Sequence, residues 1–140
     1  MIKILTKKLN KLSITPKKNH DSDAGWDLFS VEKITLQPHS QATIPLGIST
    51  LIPEGYCALI WDRSGMGSRG IHRLAGVIDS AYRGEWKVVL ANLTDSPYEI
   101  RHGDKIAQAL IQKVESVSFV EAEELSYSER GESGFGSSGR

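Results

Sequence analysis

Apolar residues in this chain come in short runs cut at close intervals by turn formers, and that spacing leaves little room for anything but strands. Val31 to Leu36, Gln41 to Leu51, Tyr56 to Trp61, Trp86 to Asn92, Lys105 to Val114 and Val117 to Glu121 are rich in Ile, Val, Leu, Thr and aromatic residues. Gln37-Pro38-His39-Ser40, Pro53-Glu54-Gly55, Thr94-Asp95-Ser96-Pro97 and His102-Gly103-Asp104 separate them with residues that favour turns. Long stretches of helical spacing are absent, and the best helical candidate is one brief turn after Arg63-Ser64. Many short strands with Gly and Pro turns predict an all-β sandwich or barrel. Pro16 to Asp23 reads as a polar surface loop.

At 140 residues the chain fits one compact domain. Seventeen basic residues balance 17 acidic ones, so nothing chain-wide favours nucleic acid or an anionic membrane, and a polyanionic ligand must be held by local groups. Neither a membrane-spanning apolar run nor a signal-peptide pattern is expected. The single cysteine, Cys57, sits in an apolar run and reads as buried packing. It excludes an internal disulfide framework and any multi-cysteine metal site, and a cytoplasmic, reducing compartment follows as the plain expectation. His20, His39, His72 and His102 lack ligand spacing and read as surface or loop residues.

Several short segments join glycine to charged or hydroxyl residues. Asp62-Arg63-Ser64-Gly65-Met66-Gly67 offers a cation, a hydroxyl and permissive backbone, which suits either a phosphate cradle or a glycine turn with a surface arginine. In Gly76 to Glu85, Asp79 ends an apolar strand and Tyr82 follows three residues later. Asp79 fits a general base acting on water, or a hairpin cap. Tyr82 fits a ring laid against a sugar, or an edge of the core. Asp27, between apolar neighbours in Ala24-Gly25-Trp26-Asp27-Leu28, needs either an arginine or a hydrated metal ion beside it. Gly103 to Gln108 turns into a strand, with Gln108 an uncharged donor for a phosphate oxygen or an ordinary edge residue. From Arg130 to Arg140 a lone apolar residue, Phe135, stands among glycines and serines. That composition predicts a segment mobile by itself, serving as a frayed end or as a closing lid. No Walker A pattern and no zinc-deaminase pattern occurs.

Taken together and in order, these five segments resemble the five motifs of trimeric dUTPases. They run from residue 24 to residue 139, nearly the whole chain. The resemblance implies a jelly-roll-like, distorted β-barrel over residues 1–129 and a flexible lid over residues 130–140. It also implies a homotrimer whose sites combine the second and fourth motifs of one subunit, the third of a neighbour and the tail of the last. The implied activity is Mg²⁺-dependent hydrolysis of dUTP to dUMP and pyrophosphate, which keeps uracil out of DNA and supplies dUMP for thymidylate synthesis. In that pattern Asp79 activates water for attack on the α-phosphorus, and Tyr82 packs under the deoxyribose. Backbone around Val77, Ile78 and Lys87 bonds uracil. Ser64, Gly65 and Gln108 hold the phosphates, with Arg63 neutralising charge. Asp27 faces the waters of a Mg²⁺ carried on the triphosphate. Phe135 stacks on uracil, while Arg130, Gly136, Ser137 and Ser138 close over the γ end.

The chain departs from the pattern at Ala81, where a second Asp is common, and at Trp86, where a smaller aliphatic is usual. Asp62 replaces a common Pro or Ala and is expected to pair with Arg63 or a neighbouring subunit. Ser68 to Leu74 is short. A related dCTP deaminase places its glutamate where this chain has Val89, and lacks the Gly-Phe-Gly tail. A binding protein on the same scaffold is the other rival, disfavoured by intact Asp27, Asp79, Tyr82, Gln108 and Phe135.

Overall fold

The computed structural model describes residues 2–132. Eleven short strands and one helical turn are described: β1 (Leu5–Lys8), β2 (Trp26–Phe29), β3 (Ile34–Leu36), β4 (Gln41–Pro45), β5 (Ile48–Leu51), β6 (Tyr56–Trp61), α1 (Ser64–Gly67), β7 (Ile71–Leu74), β8 (Val77–Ile78), β9 (Lys87–Asn92), β10 (Tyr98–Ile100) and β11 (Lys105–Lys113). They pair antiparallel in four small sheets, ordered β1-β5, β10-β3, β2-β11-β6-β8 and β4-β9-β7. Partners distant in sequence meet in every sheet, which wraps the chain into a jelly-roll-like all-β body. No helix among the described residues is long and apolar enough to cross a membrane.

Inward-facing residues of the sheets make one core, with Leu28, Leu36, Ile44, Leu46, Leu90 and Ile106 almost fully buried. Cys57 is buried, as its apolar run predicts, and all four histidines are exposed. Trp86 lies in the core at 2% exposure.

Three sequence expectations are corrected. Gln41 to Leu51 is two strands: the chain turns at Leu46-Gly47 and moves from the β9 ladder to the β1 ladder. Gly47 has φ of +65°, and a Cβ there would lie 2.3 Å from Ser13 Oγ, so glycine is required at this corner. The expected strand Val31 to Leu36 is shorter than read: Val31, Glu32 and Lys33 stay outside β3, which begins only at Ile34. Val117 to Glu121 forms no strand; Val117, Phe119 and Val120 are 73%, 100% and 82% exposed. Strand-forming side chains express a fit to a neighbouring surface, and this chain offers that segment none. β1, β7 and β10 were not legible in the sequence, because they are three or four residues long and bury few of their side chains.

Candidate functional site

The order β2-β11-β6 places three side chains in register across one sheet: Asp27 opposite Gln108, and Gln108 opposite Trp61. Directly opposed residues share a face. Beyond the end of β6 the chain turns into α1 at Arg63, whose backbone is extended (φ −84°, ψ 134°). The first amides of a helix have no partner inside it, so Ser64 and Gly65 present donors beside the Asp27–Gln108 row. A cavity of about 310 Å³ is lined by Asn19, Asp23, Asp27, Arg63, Ser64 and Gly65, together with Ala24, Gly25 and Gln108.

Ion pairs fix its walls. Arg63 Nε donates to Asp27 Oδ1 at 3.0 Å, and Lys105 Nζ to Asp27 Oδ2 at 2.6 Å. Arg63 also donates through Nη1 to the Lys105 carbonyl at 3.2 Å, and Lys105 Nζ to Asn19 Oδ1 at 3.0 Å. The Asp27 side chain is only 14% exposed, so two cations offset its desolvation. Gln108 Nε2 donates to the Asp62 carbonyl at 2.8 Å. Gly25 backs onto the same amide, and a Cβ there would fall 2.0 Å from Gln108 Oε1. Of the two partners expected for Asp62, Arg63 is not the one it takes within the chain. Its carboxylate bonds His72 Nδ1 and accepts the Arg73 amide, because β7 runs alongside while Arg63 turns back to Asp27.

A larger cleft, about 630 Å³, adjoins the first across Arg63 and Gly65 and brings Arg69, Arg101, Asp104 and Lys105 together. At its rim the Arg101 guanidinium, hydrogen-bonded to Glu99, holds that carboxyl below its usual range, with Lys33 adding to the effect. The two cavities share Arg63, and the larger adds Arg69, Arg101 and Lys105, a cationic lining suited to a polyphosphate.

Residues of the third segment sit elsewhere on the chain. Val77 is exposed, Ile78 half-buried, and Asp79 opens to solvent beyond β8. The Tyr82 amide donates to the Asp79 carbonyl at 3.1 Å, closing a turn, and Tyr82 Oη donates to the Glu85 carbonyl at 3.1 Å. The Tyr82 ring covers Gly84 so closely that a Cβ there would lie 2.3 Å from its hydroxyl, yet the residue stays 45% exposed. Lys87 is exposed at the start of β9, opposite Pro45. Thus Asp27, Arg63, Ser64, Gly65 and Gln108 are gathered in one cavity, and Val77, Ile78, Asp79, Tyr82 and Lys87 are not among its lining residues. Arg130 is described and exposed; Phe135, Gly136, Ser137 and Ser138 lie outside the described residues.

Lys105 and Asn19 escaped the sequence reading. In a regular strand, residues 105 and 108 face opposite sides. A register shift between Lys105 and Ala107 adds one residue and brings Lys105 to the side of Asp27. No local residue pattern announces that bulge.

The family model described as dUTPase matches residues 11–139. A deoxyuridine 5'-triphosphate nucleotidohydrolase of Helicobacter pylori (strain P12) is 37% identical over 141 residues, covering 99% of this chain and 97% of that protein. One of Thermobifida fusca is 46% identical over 129 residues, covering 89% and 72% respectively. Among solved structures, the dUTPase of Staphylococcus bacteriophage 80alpha with dUPNHPP superposes with a TM-score of 0.92 at 33% identity, over 99% of both chains.

Proposed function

This chain belongs to the dUTPase family, and from that premise we propose that it hydrolyses dUTP to dUMP and pyrophosphate at a site assembled between copies of itself. The observation that carries the reading is the division of the site. A cavity bounded by Asp27, Arg63, Ser64, Gly65 and Gln108 lies on one part of the chain, and an outward-facing Asp79–Tyr82 turn on another. Each half is incomplete alone, and a neighbouring copy supplies the other.

In this reading the triphosphate lies along the cavity, with Ser64 and Gly65 amides and the Gln108 side chain on its oxygens. The Tyr82 ring packs under the deoxyribose. Asp79 takes a proton from a water that attacks the α-phosphorus in line. The bond from the α-phosphorus to its bridging oxygen breaks, and pyrophosphate departs with the electron pair. Arg63 and Arg130 neutralise the charge that moves toward it. Phe135, Gly136, Ser137 and Ser138 close over the nucleotide as a lid.

Among the described residues no group of three or more His, Cys, Asp or Glu side chains could hold a metal by itself. Asp27 and Asp23 do line the cavity, which fits a Mg²⁺ bound mainly by substrate phosphates and reached through water by a carboxylate. Such an ion supplies charge neutralisation to the phosphoryl oxygens. Both Asp27 oxygens are already engaged by Arg63 and Lys105, so Asp27 also serves to hold Arg63 in place.

Assembly as a homotrimer is supported by surfaces the single chain leaves uncovered. Residues 114–132 are exposed throughout and carry six glutamates against one arginine. Val117, Phe119, Val120, Leu125 and Tyr127 point into solvent. A mostly apolar groove of about 340 Å³ runs between Ile2, Ile4, Trp26, Trp86, Ala109 and Ile111. Thr50 Oγ1 and Trp86 Nε1, which border it, are buried without hydrogen-bond partners, a costly state that an incoming backbone carbonyl relieves.

Incubating the protein with Mg²⁺ and dUTP, dTTP, dCTP or UTP separately, then assaying pyrophosphate and ammonia, tests the activity. Pyrophosphate from dUTP alone is expected. Ammonia from dCTP, or no product from any nucleotide, refutes the reading.

A further inference from the structure

Asp79 follows a strand only two residues long, Val77–Ile78, so its direction depends on how the chain enters that strand. Entry is through Ala75 and Gly76, with φ of 60° and 133°. Alanine in the left-handed region is strained, because its Cβ crowds the following carbonyl. Gly76 packs against Ile60, where an added Cβ would lie 2.8 Å from Ile60 Cβ, and its carbonyl accepts from the Ile60 amide at 2.7 Å. The Ala75 carbonyl is held by a side chain instead: Arg73 Nη1 donates to it at 3.2 Å. The Arg73 guanidinium in turn lies 5.0 Å from the Trp61 ring centroid, and the Arg73 amide donates to Asp62 Oδ1 at 2.7 Å. Trp61 ends the row that begins with Asp27 and Gln108.

We propose that Arg73, stacked on Trp61, is a positioning residue that holds the Ala75–Gly76 crossover and thereby sets where Asp79 points. The proposal rests on Asp79 being the base. A planar guanidinium can lie flat on the indole and still donate from its edge, which an ammonium cannot reproduce. Stacking on Trp61 also ties the Ala75–Gly76 entry to β6, the strand that leads into Arg63. Misplacing a reacting group by about 1 Å can cost on the order of 100-fold in rate, so a modest relaxation of this crossover has a kinetic signature.

The test compares the full-length parent with Arg73→Ala, Trp61→Ala, Trp61→Phe and the Arg73→Ala/Trp61→Ala double variant, each first shown to melt near the parental temperature. Arg73→Lys replaces Arg73→Ala if the latter does not fold. The kcat for dUTP is expected to fall about tenfold or more in Arg73→Ala, with KM within about twofold. Trp61→Phe should stay near the parent, and the double variant should lose no more than Arg73→Ala alone. Parental kcat, a loss confined to KM, or full additivity of the two alanine variants overturns the proposal. Hydrogen exchange at amides 77–80 decides it without turnover: faster exchange in Arg73→Ala supports the latch, and unchanged exchange overturns it. A parent that leaves dUTP intact refutes the assigned reaction, while the exchange result still judges the latch.

Discussion

In the proposed reaction Asp79 and Gln108 act on different terms, and substitution separates them. Asp79→Asn keeps nearly the same shape and removes only the proton acceptor. The expected outcome is a fall in kcat on the order of 10²–10⁴-fold, with dUTP binding retained. Single-turnover pyrophosphate release combined with titration calorimetry measures both quantities; parental turnover refutes the role. Gly25→Ala reaches Gln108 indirectly. Its new Cβ would land 2.0 Å from Gln108 Oε1, the far end of a flexible side chain, so the amide can swing away at little cost to the fold. Losing one hydrogen bond to a charged phosphate costs roughly 1.5–3 kcal/mol. The KM for dUTP is therefore expected to rise by about tenfold or more with the urea midpoint almost unchanged, and an unaltered KM places Gln108 outside the phosphate contacts. Residue types made Asp27, Arg63 and Gln108 legible as candidates, since each is polar at a position where neighbours are apolar or glycine. Lys105 was not legible, because its facing depends on the bulge between it and Ala107.

At the scale of elements, corners decide what the strands can do. Gly47 lies between β4 and β5, its amide donating to Glu85 Oε1 at 3.0 Å and its carbonyl accepting from Ser13 Oγ at 2.6 Å. The corner thus joins the N-terminal loop, the sheet crossing and the residue that follows the Tyr82 turn. Gly47→Ala meets two penalties, a left-handed φ at about 1–2 kcal/mol and a clash with buried Ser13 costing about 1–3 kcal/mol. A loss of roughly 2–5 kcal/mol in urea unfolding is expected; a loss below about 1 kcal/mol shows that the corner relaxes. Apolar runs such as Tyr56–Trp61 announced their strands because alternate residues meet the core. Gln41 to Leu51 read as one strand because a glycine within an apolar run marks a bulge as readily as a corner. Sheet membership was not legible at all: β2 with β11 and β3 with β10 are joined by packing across long sequence separations.

At the scale of the molecule, charge is arranged by chain end although the total cancels. Residues 1–18 hold six lysines and no acidic residue, while the exposed 114–132 segment is strongly acidic. β1 lies in that basic end, pairs with β5 on one side and borders the apolar groove. Its other edge and the uncovered acidic segment are complementary in charge and in apolar character, as the proposed contact between copies requires. The sequence alone made the segment look like a strand of its own chain, since a pattern of Val and Phe does not reveal whether a neighbouring surface is there to receive it. The expected species in dilute buffer is a trimer by light scattering. Replacing Lys3, Lys7 and Lys8 by Glu should shift it toward monomer, and adding Glu121, Glu123 and Glu124 to Lys should restore the trimer. Raising salt to about 1 M shortens the Debye length to about 3 Å and should narrow the difference between the lysine variant and the parent. The apolar part of the contact is not screened, so the parent should remain assembled. On the proposed assembly, in which one copy supplies the cavity and another the Asp79 turn, the lysine variant should lose dUTP turnover in step with its loss of trimer. An active monomer would mean that one chain completes the site, and the division of labour inferred from Asp27 and Asp79 would then fail.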